Sequence, residues 1–475
     1  MKEFNTSIFI FRRDFRLEDN TSLIKALKNS DIVIPIFIFT PEQLDRKKNK
    51  YKSDNCVQFM MECLEDLDAS LRKKKSRLFY FYDNPINVIK NIISKIDIDA
   101  IYVNMDYTPY SIKRDEKIND LCKEYDVIFK SYEDYLLQPI NSVLTKQDTV
   151  YSKFTPFFNT AKKVKVNETT KNSFTNYFPE ENKLQNEYLK DIHVFYKYNN
   201  QLTIKGGRQN TLKIFSNINK FKKYNMERNV LSINTTRLSA YIKFGCVSIR
   251  EVYYKFKEKL GLNNDLVKQL YWREFYYNIG YAYPTVLSTN NFDKNFNKKY
   301  DRVTWITYDT ATDKQKELYK KWTKGLTGFP AVDASMREML VSGMMHNRGR
   351  LIVSSFLCKN LFWDWRDGEK FFSNYLYDYD PFVNNGNWQF MSGSGVDVQP
   401  YFRVLNPDLQ LDKWDPDCVY VKKWIPELKN VPIEHIHNWE EYHKFHEDIN
   451  YPIPMLGASL SSRQAIEKYK KGLYQ

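Results

Sequence analysis

Asp378 to Phe390 reads D-Y-D-P-F-V-N-N-G-N-W-Q-F. The run is rich in groups that can hydrogen-bond a polar organic ligand and poor in groups that only fill a core. Two carboxylates, Asp378 and Asp380, flank one tyrosine. Pro381 is read as the end of any helix before it. Asn384-Asn385-Gly386-Asn387 is read as a tight turn, because glycine and asparagine tolerate unusual backbone angles. Trp388 follows directly and adds an easily oxidised ring. Alone, such an Asx-rich stretch is more often a surface turn than a site. Its neighbours add weight: Phe329 to Arg350 ends in H-N-R-G-R, and Pro400 to Pro407 carries Arg403 in P-Y-F-R-V-L-N-P.

A chain of 475 residues is long enough for two domains with separate cores. The formal charge of +14 favours a polyanionic partner, since neutralised phosphates release counterions. Aromatic residues reach 16 %, more than a core needs, although AT-biased coding would account for the larger share. Six cysteines are scattered without C-x-x-C spacing, so the reading is no zinc or iron–sulfur site, no disulfide framework, and a reducing intracellular compartment. His435, His437, His443 and His446 cluster, but no cysteine or acid pattern completes a metal site, and a solvated segment is expected there. Met1 to Thr6 is polar, and Ile32 to Phe39 is too short to span a bilayer; neither reads as a signal peptide or membrane helix.

Five short apolar runs (Ser7–Phe11, Ile32–Phe39, Leu78–Tyr82, Ala100–Asn104 and Val127–Phe129) alternate with helical spacing over about Asn20–Asn29, Asn55–Leu71, Ile86–Ile96 and Ser111–Tyr125. This alternation predicts a doubly wound, five-stranded parallel sheet over residues 1–140. No G-x-G-x-x-G follows the first strand, so an ordinary dinucleotide site there is not expected. Residues 141–206 dissolve into polar runs and read as a connector draped over the surface. From 207 to 475 apolar residues recur at three and four spacing, which predicts an all-α domain.

Several motifs in order give the chain its resemblance to the DNA photolyase and cryptochrome flavoproteins. They are F-R-R-D-F-R-L-E-D-N (Phe11–Asn20), T-T-R-L-S (Thr235–Ser239), W-R-E-F (Trp272–Phe275) and the C-terminal motifs above. The resemblance implies that residues 207–475 bind FAD and DNA. It assigns the FAD phosphates to Thr235, Thr236 and Ser239 and to the pair Tyr224 and Arg228, hydroxyls and amides at a helix start being suited to phosphate, and it counts Leu238 among the FAD-binding residues. Gln269, Asn347 and Asp380 belong to the same collar. Asn384 matches the asparagine that photolyases place opposite flavin N5, where several photoreceptor relatives carry cysteine or an acid. Arg350 and Asp378 match an ion pair flanking the ring, and losing one partner of such a pair costs roughly 3–5 kcal/mol. Trp388, Trp365 and Trp305 match a three-tryptophan electron path from flavin to surface, although buried tryptophans are ordinarily core filler. The resemblance also raises an antenna chromophore in the N-terminal domain, beside Asn104–Tyr110 and with Thr108 or Ser111 replacing the usual acid; it leaves folate, deazaflavin or none open.

The implied substrate is UV-damaged DNA, its adjacent bases turned out of the duplex. Trp272 matches one wall of the pocket and Phe390 a second, where many cyclobutane-specific members have tryptophan. Gln269, Asn347, Arg348, Leu351 and Arg403 line the DNA side. Enzymes of the (6-4) photoproduct carry two histidines where Asn347 and Leu351 stand, and neither residue can supply a proton. That favours cyclobutane pyrimidine dimers. Gln269 in place of a glutamate, Leu351 in place of a methionine and the N-R-G-R run are departures that keep (6-4) and single-strand-specific photolyases as alternatives. A signalling cryptochrome is the third, disfavoured because no long tail precedes Gln475. Nothing in the sequence demands more than a monomer.

Overall fold

The computed structural model describes residues 2–287, 296–446 and 448–474. It divides into two compact units, each built from non-contiguous segments. The first comprises residues 1–199, 204–222 and 236–284; the second, residues 200–203, 223–235 and 285–475.

The first unit is organised on five strands: β1 (Phe4–Phe11), β2 (Ser30–Phe39), β3 (Phe79–Tyr82), β4 (Ala100–Asn104) and β5 (Ile128–Tyr132). All pairs are parallel, in the order β3-β2-β1-β4-β5. Their near-continuous apolar runs suit a sheet covered on both faces. Ile8, Ile10, Ile34, Ile36, Ile101 and Val103 pack on one face against Val88, Ile89 and Ile92 of helix Pro85–Ile93 and Ile118 of helix Pro109–Glu124. Alternation turns Phe9, Phe11, Phe37 and Phe39 to the other face. Helix starts are capped as their residues suggest: Asn20, Ser53, Asn84 and Thr108 each accept a backbone N–H two or three residues on.

The connector is more structured than a draped segment. It contains helix Phe154–Ala161, and it returns to the sheet through Val33 N–H to the Asn176 carbonyl, Phe178 N–H to the Val33 carbonyl and Tyr188 N–H to the Tyr80 carbonyl. Strand ends left with open backbone groups demand such partners. A buried ionic cluster ties helix Ile249–Leu260 to the segments that follow β1 and β5. Arg250 bonds Asp19 at 2.9 Å and Asp134 at 2.8 Å, and Arg16 bonds the second Asp134 oxygen. Burial alone would raise the Asp134 carboxyl, but Arg16 and Arg250 outweigh it and hold it well below the usual carboxylate range.

In the second unit the described residues form helices without a sheet, including Asp313–Lys324, Pro330–Ser342, Asn347–Lys359, Trp365–Ser373 and Pro381–Ser392. One apolar cluster joins them, with Trp322, Met336, Ile352, Phe356, Trp363, Trp365 and Trp388 fully or nearly buried. The histidine-rich segment is not a solvated tail: Ile436 and Trp439 are buried in this cluster, and His435 Nδ1 lies 2.8 Å from His446 Nε2. Among the described residues no helix is long and apolar enough to cross a membrane.

Candidate flavin and DNA site

Asn384 does not sit in a turn. The N-N-G-N run lies inside helix Pro381–Ser392, and Pro381 begins that helix rather than ending another. The local chemistry explains why. Proline is preorganised for the first helical position, and the Asp380 side chain accepts the Phe382 and Val383 N–H groups at 3.1 Å. Burial of Phe382, Trp388 and Met391 then anchors the helix, which outweighs the low helix propensity of Gly386.

On that helix Asn384 is buried, and its orientation is set by a residue the sequence did not single out. Nδ2 donates to the Glu369 carbonyl at 3.2 Å and to Glu369 Oε1 at 2.9 Å. Tyr379 O–H donates to the same carboxylate oxygen at 3.1 Å. With both amide protons turned to Glu369, Asn384 Oδ1 is left to accept from a ligand N–H. No local pattern in W-R-D-G-E announces this; the pairing exists only once two helices pack.

Arg350 and Asp378 meet as expected. Arg350 Nη2 lies 3.0 Å from both Asp378 oxygens, and Nε donates to the Met345 carbonyl. Asp380 is spent largely on capping. Trp388, Trp365 and Trp305 are 2 %, 1 % and 7 % exposed and share one core cluster. Trp388 meets Phe372 edge-on at 4.9 Å. Gly368 makes room for it: a Cβ there would fall 2.3 Å from the Trp388 ring. Trp305 stacks on Phe362 at 5.6 Å and meets Tyr469 edge-on at 5.2 Å, so the expected surface end of the path is itself covered.

The basic residues of this unit also converge. Arg348 donates to Asn229 Oδ1 at 2.6 Å and lies over the Trp414 ring. Burial lowers its pKa, and repulsion from Arg228 and Arg403 lowers it further. A guanidinium that two like charges destabilise fits a phosphate-bearing ligand. Asn347 is exposed and Leu351 half-buried, one turn apart on helix Asn347–Lys359. Phe390 is half-buried, Thr235 half-buried, and Tyr224 opens the short helix Tyr224–Glu227.

The remaining assigned residues belong to the first unit. Thr236 and Leu238 precede the five-residue helix Ser239–Lys243, on which Ser239 is exposed. So short a helix contributes little dipole, and hydroxyls must do more of any phosphate binding. Gln269 and Trp272 lie on helix Asp265–Ala282. One face of Trp272 is covered by Phe154, parallel at 3.6 Å, and Tyr276 and Phe275 lie at 5.7 and 5.8 Å from it. Glu274, the acid of W-R-E-F, is structural: it accepts the Leu137 N–H at 2.9 Å, and burial pushes its carboxyl up to about 7.

Residues 266–471 match the FAD-binding domain of DNA photolyase, and residues 7–174 match the DNA photolyase domain. The chain belongs to the DNA photolyase family. FAD is therefore its cofactor, and the residues fit: a buried amide with a spare acceptor beside an arginine–carboxylate pair is what a flavin ring requires. Among photolyase relatives, the deoxyribodipyrimidine photo-lyase of Buchnera aphidicola from Acyrthosiphon pisum is 33% identical over 97% of this chain and 96% of its own. A crystal structure of the Sulfolobus tokodaii archaeal photolyase, which holds two FAD molecules, is 38% identical with a TM-score of 0.86, covering 98% of this chain and 100% of that one. The cryptochrome of Synechocystis sp. PCC6803 is 26% identical with a TM-score of 0.85, covering 98% of this chain and 100% of that one.

Proposed function

We propose that this photolyase-family chain is a deoxyribodipyrimidine photo-lyase that splits cyclobutane pyrimidine dimers in DNA. Reduced FAD, when bound, supplies one electron to the lesion on absorbing near-UV or blue light and takes it back once the ring has opened. The protein supplies position and electrostatics. Asn384 Oδ1, held outward by Glu369, accepts from the flavin ring edge, and the Arg350–Asp378 pair balances charge beside it. Arg348 and Arg403 hold DNA phosphates, Arg228 with Tyr224 and the Thr235–Ser239 hydroxyls hold those of FAD, and Trp272 and Phe390 each offer a ring to the flipped bases. Trp388, Trp365 and Trp305 deliver electrons that reduce oxidised FAD in light. Thr108 and Ser111 border the place an antenna chromophore would take. The protein works as a monomer in a reducing compartment.

The observation that carries the lesion choice is the pair Asn347 and Leu351. An amide and an alkyl group, one helical turn apart, offer no proton donor. The adjacent His346 does not replace one, since it is buried at the start of that helix. Illuminating the reduced protein with oligonucleotides bearing each lesion, single- and double-stranded, tests the reading. Repair of cyclobutane dimers in duplex DNA is expected. Repair confined to (6-4) products or to single strands would replace it with the corresponding photolyase, and no repair of any lesion would make the chain a photoreceptor.

A further inference from the structure

A second row of rings in the second unit also begins at Trp388. Trp322 lies edge-on to it, with centroids 6.5 Å apart and planes at 74°. Tyr319 stacks on Trp322 at 5.8 Å, and Trp363 lies flat on Tyr319 at 4.4 Å with planes 10° apart. Tyr319 and Trp322 are three residues apart on helix Asp313–Lys324 and so share a face. Trp363 lies two residues before helix Trp365–Ser373, in a parallel bridge with Ile306.

Core packing alone would account for contact between such rings. What distinguishes this row is the group at its far end. Trp363 Nε1–H donates to Asp367 Oδ2 at 2.8 Å. Burial raises the Asp367 carboxyl, which makes its carboxylate a better proton acceptor than a solvated one. An indole that has lost an electron is a strong acid at this N–H, so a carboxylate already bonded to it takes the proton. Two neighbouring indoles differ. Trp322 Nε1 donates to the Val353 carbonyl, and Trp305 Nε1 is buried with no acceptor among the described residues.

We propose that Trp322, Tyr319 and Trp363 form a second electron-relay arm branching from Trp388, terminated by Asp367 as proton acceptor. The proposal rests on the reading above that Trp388 gives an electron to light-excited, oxidised FAD. One electron then leaves Trp363 and passes by way of Tyr319 and Trp322 to fill the vacancy on Trp388. The Nε1 proton moves to Asp367 Oδ2. The result is a neutral indolyl radical beside a carboxylic acid, with one electron gained by the flavin. A soluble thiolate returns one electron to Trp363, becoming a thiyl radical, and Asp367 returns the proton. Tyr319, partly exposed, gives that reductant its approach.

Laser-flash transient absorption on the FAD-loaded, oxidised protein tests this, with flavin content of each variant as the check on folding. Trp365→Phe cuts the first arm, and a long-lived neutral indolyl radical should still form. Adding Trp363→Phe should lower its yield about tenfold or more. Adding Asp367→Asn instead, a near-isosteric change, should leave a radical cation that decays about tenfold faster or more. Trp388→Phe should abolish every radical. If Trp365→Phe alone silences the protein as fully as Trp388→Phe, the arm is refuted while Trp388 keeps its role. If Trp363→Phe and Asp367→Asn leave spectrum and lifetime unchanged in the Trp365→Phe background, the arm is equally refuted. Radicals that persist in Trp388→Phe would overturn the assignment of Trp388, and the arm with it.

Discussion

Asn384 shows how little of a residue's chemistry resides in the residue alone. An amide can present either a donor or an acceptor, and here Glu369 makes the choice by taking both protons. Glu369→Ala would leave one of those protons buried without its carboxylate, the other keeping the main-chain carbonyl, at a cost of about 1–3 kcal/mol. A lower denaturant midpoint, together with weakened retention of FAD, is the expected outcome. Lys359 carries a different consequence. It is buried 2.9 Å from the Tyr401 carbonyl and beneath the Tyr469 ring, and burial pushes its pKa down to about 8. Below that pH the lysine is charged in both folded and unfolded chains, and the folded state carries the desolvation cost. As pH rises from about 8 towards its ordinary value, the folded lysine sheds its proton first. Stability should therefore increase with pH over that window, by about 3 kcal/mol in the limit. Urea titrations at pH 7.5 and about 10 would show the rise, and Lys359→Met should flatten it.

Elements were more legible than the contacts between them. The five strands could be read because runs such as Ile32–Phe39 are continuous, β-branched and aromatic, and parallel strands buried on both faces require that pattern. Their helices could be read because capping residues and apolar spacing agree. Helix Pro381–Ser392 was misread, since glycine and three asparagines outvoted Asp380 and Pro381, which are a helix-start signal. The cap is a checkable correction. Asp380→Ala should cost about 1 kcal/mol and lower the thermal midpoint without removing Asn384 or Trp388. The electron path was legible only as residue types carried over from a resemblance. That Trp322 and Tyr319 also reach Trp388, or that Gly368 must lack a side chain beneath it, depends on helix packing that no single stretch encodes. The connector was underestimated for a similar reason: its polar composition hides backbone bonds made to distant strands.

For the molecule as a whole, the net charge of +14 and the neighbouring Arg348 and Arg403 make DNA affinity an ionic-strength measurement. Binding should weaken steadily with salt. Arg403→Ala, at an exposed position, should reduce the log–log slope by about 1 while weakening damaged and undamaged DNA alike. The connector has a consequence of another kind. Lys162, Lys163 and Lys165 are exposed and open to trypsin, yet the chain beyond them is stitched back at Val33 and Tyr80. A single scission there should give two bands under denaturing electrophoresis but one species on gel filtration, still yellow with flavin. Fragments that drift apart would mean the stitching is too weak to hold them. If they stay together, the polypeptide tolerates a broken backbone much as a seam tolerates one cut thread.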